Sequence, residues 1–99
     1  MNYILDADFN PVAEPDLLKW ARWFEKAKPN VALEKIGPSE VSTVFLGVDH
    51  SHGKGQPILW ETMVFGGPLD QEQDRCSGSR ADAMSMHKKM VKRVLELRP

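Results

Sequence analysis

The spacing of apolar residues predicts a helix between Pro15 and Ala27. Apolar side chains recur there at intervals of three and four positions, which is the period of a helix with one apolar face. Proline suits the first turn of a helix, and Pro29 cannot continue one. The predicted stripe consists of Leu17, Trp20, Ala21, Phe24 and Ala27, with Trp23 at its edge.

A second helix is predicted from Ser79 to about Leu97. Serine is a favoured residue at the N-cap of a helix. The apolar stripe that follows repeats at the same three- and four-residue spacing and includes one histidine. Its members are Ala83, His87, Met90, Val94 and Leu97.

The middle of the chain predicts strands. Val31–Ile36 is short and half polar, whereas Val41–Asp49 and Ile58–Phe65 are rich in β-branched and apolar residues on both faces. The connections between them are short, which favours antiparallel pairing. Tyr3–Leu5 is expected to add a short edge strand, and Leu69–Gly78 is expected to be a polar connection. We therefore predict an α+β fold: one domain over residues 1–99, with a three- to four-stranded antiparallel sheet and two helices packed on one face.

Such a fold leaves the other face of the sheet open. Successive side chains of a strand point to opposite faces, and both faces of Ile58–Phe65 are too apolar to be left in water. A protein partner or a second copy of the chain is expected to cover the open face, giving an oligomer in the second case. Trp23 and Trp60 are candidate contacts, because tryptophan is prominent in binding hot spots.

Composition narrows the class of protein. Ninety-nine residues, 41% of them hydrophobic and 27% charged, are typical of one globular domain. The net charge of -1 argues against nucleic acid as a partner, although the last helix is basic. A single cysteine excludes an intrachain disulfide. The absence of a long apolar run and of a basic leader predicts a cytoplasmic protein without a membrane segment.

Two runs of sequence carry a resemblance. The first is Val41–His50, which reads VSTVFLGVDH, and the second is Glu61–Asp70, which reads ETMVFGGPLD. They resemble a family of short bacteriophage, prophage and bacterial proteins that carry VSTVFLG[LV]DH and ETM[VI]FGGPLD runs. The likeness spans roughly residues 15–90 and includes a histidine in the final helix, matched by His87. It implies a phage or bacterial setting and brings no activity with it.

Candidate chemistry lies at the end of the first of these runs. Asp49, His50 and His52 stand where a strand meets a glycine-rich loop, a common place for a site. The two imidazoles could share a ligand, but Glu61 is expected roughly 13 Å from Asp49, too far to complete one metal site. We therefore expect Asp49 to cap the turn, and we expect neither a metal ion nor a cofactor.

His87 and Glu61 are predicted to form a buried pair between the last helix and the sheet. Each is a polar residue in an otherwise apolar pattern, and each needs a polar partner if buried. Such a pair is structural in one interpretation and a general acid/base couple in the other. Cys76 beside a helix start offers a thiol nucleophile, but the resembling proteins often have an aromatic residue near this position.

Two functions remain open from the sequence. The leading interpretation is a protein-interaction module that acts on a host or phage protein, for instance as an inhibitor of host defence, with no catalytic residue. The alternative is a small enzyme or metal-binding protein with a site around five residues, Asp49, His50, His52, Glu61 and His87. An interaction module requires an exposed patch, whereas an enzyme requires a pocket in which titratable groups converge.

Overall fold

The structure, a computed structural model, describes residues 1–27 and 29–97. In chain order its elements are β1 (Tyr3–Leu5), β2 (Pro11–Ala13), α1 (Leu17–Ala27), β3 (Asn30–Ile36), β4 (Ser39–Phe45), β5 (Ile58–Phe65), β6 (Gln73–Ser77) and α2 (Arg80–Glu96). β1 and β2 pair as a two-stranded sheet, and the other strands form an antiparallel sheet in the order β3-β4-β5-β6. The predicted α+β class is confirmed.

Burial alternates along β4, and this alternation defines the two faces of the large sheet. The residues buried on one side of β4 are Ser39, Val41, Thr43 and Phe45. Their partners in the register with β5 include Val64, Thr62 and Trp60, which are also buried. We call this side the covered face, because α2 packs on it, and the opposite side the open face. From the sequence alone, both faces of Ile58–Phe65 were expected to be too apolar to be left in water.

Helix α2 follows its predicted course closely. Ser79 is the N-cap, and a capping box links it to Asp82, whose backbone N–H donates to the serine hydroxyl at 3.2 Å. The predicted stripe is buried from Ala83 to Val94, and Met86 joins it. Leu97, predicted to be its last member, lies just beyond the helix and is 51% exposed.

Helix α1 differs more from its prediction. It begins at Leu17, two residues after Pro15, and the carboxylate of Asp16 accepts from the backbone N–H groups of residues 18 and 19. The predicted stripe is confirmed only in part: Trp20 and Phe24 are half-buried, but Leu17, which is 64% exposed, and also Ala21 and Ala27 face solvent. The helix instead docks through Trp23 and Phe24, whose ring centroids lie 5.8 and 6.4 Å from that of Phe45. Phe45 belongs to the covered face, so both helices contact one face, as predicted.

Three strand predictions need correction. Gln73–Ser77, predicted as a polar connection, forms the edge strand β6. Tyr3–Leu5 pairs with Pro11–Ala13 rather than with the edge of the large sheet. The strand from Val41 ends at Phe45, because Gly47 adopts a φ of 73° and lies against Phe24, where a Cβ atom would be 2.1 Å from ring carbon Cε2.

The core of the covered face consists of two apolar clusters. One contains Ile36, Val41, Val64, Met90 and Val94. The other contains Phe45, Leu59, Trp60, Ala83 and Met86, and α1 adds Trp23 and Phe24 to it. A fully buried polar row separates the two clusters. It consists of Thr43 on β4, its register partner Thr62 on β5, and His87 on α2.

Candidate functional site

The five residues of the predicted enzyme or metal site do not come together. Asp49, His50 and His52 lie in the connection after β4, Glu61 lies on the open face, and His87 lies under the covered face. Within residues 1–27 and 29–97, no group of three or more His, Cys, Asp or Glu side chains is arranged to hold a metal ion. The alternative function that required this cluster therefore has no geometric support.

Asp49 caps the loop that follows it, as predicted. Its Oδ1 atom accepts from the backbone N–H of Ser51 at 2.7 Å and from that of Ile58 at 3.0 Å, and its Oδ2 atom accepts from the Ser51 hydroxyl at 2.9 Å. Hydrogen bonds from the backbone and hydroxyl of Ser51 lower the pKa of the Asp49 carboxyl group, and the Ile58 bond adds to this. The carboxylate thus ties both ends of the loop together.

The imidazoles of the two histidines in this loop form no such hydrogen bonds with the part of the chain that the structure describes. His50 is half-buried, and its backbone N–H donates to the Ile58 carbonyl at 3.0 Å. His52 is exposed and adopts a φ of 56°, which places it in the left-handed region. A shared ligand between the two imidazoles stays a prediction.

The predicted pair between His87 and Glu61 is wrong. Glu61 faces away from α2, and its Oε2 atom accepts from Nε of Arg75 on β6 at 2.7 Å. The physical reason is the two-residue period of β5: Trp60 and Thr62 face the helix, and so the residue between them faces the other side. Glu61 is surrounded in the sequence by apolar residues, which suggested that it is buried under a helix. Alternate residues of β5 face the open side, however, and Glu61 is one of them.

His87 is fully buried and has two other partners. Its Nε2 atom donates to Oε1 of Glu34 on β3 at 2.9 Å, and its Nδ1 atom lies 2.7 Å from Oγ1 of Thr43. Thr43 Oγ1 is in turn 2.5 Å from Oγ1 of Thr62. In a neutral ring that donates through Nε2, Nδ1 accepts from Thr43, and Thr43 accepts from Thr62. Every polar atom of the row then has a partner.

This row resembles a catalytic relay only in composition. The side chain of Glu34 is 51% exposed, but His87, Thr43 and Thr62 are each 0% exposed. A substrate would reach the carboxylate alone, because the imidazole and both hydroxyls lie beneath α2. The arrangement therefore supports packing of the helix on the sheet, and of these four side chains only the Glu34 carboxylate is open to solvent.

The surroundings of Cys76 favour the thiol over the thiolate. The residue is half-buried on β6 opposite Trp60, and burial is the largest cause of a raised pKa for its thiol. The negative charges of Asp82 and Asp74 raise it further. Because the thiolate is the nucleophile, this environment opposes a nucleophilic role.

The tryptophans differ in accessibility. Trp60 is fully buried, and its Nε1–H donates to the carbonyl of Gly78 at 2.9 Å, so it does not reach a binding surface in this structure. Trp23 is half-buried, as expected from its place at the edge of the stripe. Trp20 donates from Nε1 to the carbonyl of Gly47 at 3.1 Å.

The open face carries exposed apolar side chains in a charged surround. Leu33 on β3 and Phe65 on β5 are 58% and 45% exposed. Val44 on β4 and Met63 on β5 belong to the same face, and both are half-buried. The register places these residues in three rows across the sheet. The rows are Lys35, Glu40 and Phe65; Leu33, Ser42, Met63 and Gln73; and Val44, Glu61 and Arg75.

Comparisons of the chain with protein-family models, curated proteins and solved structures found no match. No helix among residues 1–27 and 29–97 is long and apolar enough to cross a membrane. The likeness to phage and prophage proteins thus remains an expectation from the sequence.

Proposed function

We propose that the protein is an interaction module that binds another protein through the open face of its large sheet. The observation that carries this proposal is the exposure of Leu33 and Phe65 on a sheet face that no element of the described chain covers. An apolar centre with charged residues at the margin is the usual anatomy of a protein–protein interface. Here the middle row, formed by Leu33, Ser42, Met63 and Gln73, carries no charge. The row on one side of it contains Lys35 and Glu40 beside Phe65, and the row on the other side contains the Glu61–Arg75 pair.

The size of the open face favours a transient partner over a second copy of the chain. Four strands spaced ~4.8 Å apart, about seven residues long at ~3.3 Å per residue, span roughly 450 Å². Doubled over two partners, this is about 900 Å², which is in the range of transient complexes. Permanent homodimers bury roughly 2,000 Å² or more. The face therefore suits a separate protein that binds reversibly.

The chemistry of the open face describes the partner. Its apolar centre requires a partner surface with exposed apolar side chains, and its charged margin contains both signs. A strongly basic or acidic partner gains nothing from such a margin, so a nearly flat, weakly charged protein surface fits best. The resemblance to phage and prophage proteins supports a bacterial cytoplasmic protein, of host or phage, in this place.

Site-specific photocrosslinking tests the proposal. A photoreactive phenylalanine analogue replaces Phe65 in the open face, or Lys88 on the exposed side of α2 as the matched control, and crosslinks are formed in bacterial cells. We expect one discrete crosslinked protein from position 65 and none from position 88. Met63→Glu should abolish the product, because it places a charge in the apolar centre.

Sedimentation velocity of the purified protein distinguishes binding to a separate protein from self-association of the chain. A single species of monomer mass at tens of micromolar, together with the crosslink from position 65, supports the proposed separate partner. Crosslinks between copies with a dimer in sedimentation would overturn it in favour of self-association. Crosslinks of equal strength from both positions, or none from position 65, would overturn the open face as the interface.

A further inference from the structure

A cleft on the helix side of the molecule is the strongest candidate for a second site. It lies where the β1–β2 turn, the end of α1, the start of β3 and the first residue of α2 meet, and its volume is about 250 Å³. Pockets for drug-sized ligands measure ~300–1,000 Å³, so this cleft fits a smaller molecule. It is separate from the open face, and its occupation is independent of the proposed function.

The inner wall of this cleft is apolar. Leu5, Trp23 and Val31 line it, and all three are half-buried against the core cluster around Phe45 and Trp60. The Trp23 ring packs edge-on against Phe45, with centroids 5.8 Å apart. The wall is therefore attached to the rigid core, and it offers a preformed surface for an apolar group.

Two opposite charges line the same cleft without forming an ion pair. Asp6 and Arg80 both contribute to its wall, yet among residues 1–27 and 29–97 no Asp6–Arg80 contact lies within 4.0 Å. The Oδ1 atom of Asp6 accepts from the backbone N–H groups of Asp8 and Asn10, both at 2.9 Å, and Oδ2 has no partner in the described chain. An acceptor and a cation thus line one cleft without being paired with each other.

Phe9 fixes the position of the cation. Its ring lies 4.6 Å from Cζ of Arg80, a cation–π contact, although the ring itself is half exposed. The backbone of Phe9 has a φ of 63°, an uncommon conformation for a bulky residue, and its N–H donates to the carbonyl of Asp6 at 3.0 Å. Strain of this kind concentrates at ligand sites, and here it places the ring over the guanidinium.

We propose that the cleft binds a free amino acid with a large apolar side chain. The ammonium group donates to the Asp6 carboxylate, the carboxylate accepts from the Arg80 guanidinium, and the side chain packs on Leu5, Trp23 and Val31. Separated charges of both signs match a zwitterion better than a simple anion, which Asp6 would repel. An internal residue of a peptide lacks both charges, and a nucleotide exceeds the volume.

Titrations monitored by two-dimensional amide NMR test this inference. Phenylalanine and leucine are expected to shift the amide signals around the cleft with a Kd at or below about 1 mM. Three ligands each lack one element: N-acetylphenylalanine has no ammonium, phenethylamine has no carboxylate, and alanine has no large side chain. Each should bind about tenfold or more weakly.

Two variants remove the charges while they keep the fold. In Asp6→Asn the amide oxygen can still accept the two backbone hydrogen bonds of the turn, and Arg80→Gln removes the guanidinium. Each is expected to weaken phenylalanine binding by about tenfold or more. Asp8→Asn and Lys88→Gln, which change the same charges outside the cleft lining, should leave the Kd unchanged.

Several results of these titrations would overturn the inference. Absence of shifts at about 10 mM phenylalanine and leucine would do so. Equal binding of N-acetylphenylalanine or phenethylamine would show that the two charges do not select the ligand, as would an unchanged Kd in Asp6→Asn with a native spectrum. Shifts that map to the open face instead of the cleft would also refute it.

Discussion

Replacement of His87 tests whether the buried polar row stabilises the fold through its hydrogen bonds. His87→Ala removes a fully buried ring from between the two apolar clusters. Truncation of a buried side chain of this size costs roughly 2–5 kcal/mol through the cavity it leaves. The Thr43 hydroxyl also loses its acceptor, which costs about 1–3 kcal/mol more where water cannot enter. We therefore expect a loss of roughly 3–8 kcal/mol in the free energy of unfolding.

His87→Leu separates the two contributions. Leucine refills most of the volume but accepts no hydrogen bond, so the expected loss in the free energy of unfolding is the hydroxyl penalty of about 1–3 kcal/mol. Adding Thr43→Val and Thr62→Val removes both hydroxyls with little change in shape. Since replacing all partners by apolar groups can be nearly neutral, the triple variant should return to within about 1 kcal/mol of the original protein.

Urea unfolding followed by fluorescence and circular dichroism measures these differences, and an unchanged m value ensures that the variants are comparable. Glu34→Gln is the control, because that side chain is half exposed and its change should cost less than about 1 kcal/mol. A triple variant less stable than His87→Leu would refute the hydroxyl argument. Full stability of His87→Ala would refute both terms.

Three further predictions address the loops and the cysteine. Gly47→Ala should lower the free energy of unfolding in urea by roughly 2–4 kcal/mol, because φ is 73° and the new Cβ meets the Phe24 ring. Gly53→Ala is the control: its Cβ meets no atom within 4 Å, so only the backbone strain contributes. The lowered pKa of Asp49 stabilises the fold above the ordinary carboxyl pKa of about 3.9, so stability should fall as the pH drops below it, and less so in Asp49→Asn. Cys76 should react with Ellman's reagent more slowly at pH 8 in the folded than in the urea-unfolded chain; equal rates would contradict its raised thiol pKa.

The elements predicted well from the sequence are those with a strong local signal. Ser79 and the stripe from Ala83 to Val94 specify α2 without help from the rest of the chain, because the cap and the period agree. β6 was missed because Gln73–Ser77 has no apolar alternation of its own. It is a strand by virtue of its pairing with β5, a long-range contact that no local pattern reveals.

The error at Glu61 shows which information the sequence lacks. Its alternation with Trp60 was correctly predicted, but nothing in the chain states which face of a two-sided apolar strand the helix covers. The actual partner of His87, Glu34, lies in β3, a strand whose bounds were predicted to within one residue. It could therefore have been considered as a partner from the sequence. Thr43 and Thr62 lie within the two runs that carry the phage resemblance, but they were interpreted only as strand-forming residues. A buried histidine with two ring nitrogens to satisfy was the signal that could have pointed to them.

The polar row between the two apolar clusters also decides where α2 rests along the sheet. An apolar stripe with a repeat of three and four residues offers several nearly equivalent axial positions, about 5.4 Å apart. A slide of the helix by one such step would place Ala83 or Val91 opposite the threonines and carry the imidazole of His87 into one of the clusters. Hydroxyls and ring nitrogens would then be buried without partners, at a cost that apolar contacts do not recover. The hydrogen bonds thus disfavour shifted positions of α2 that apolar packing alone would allow.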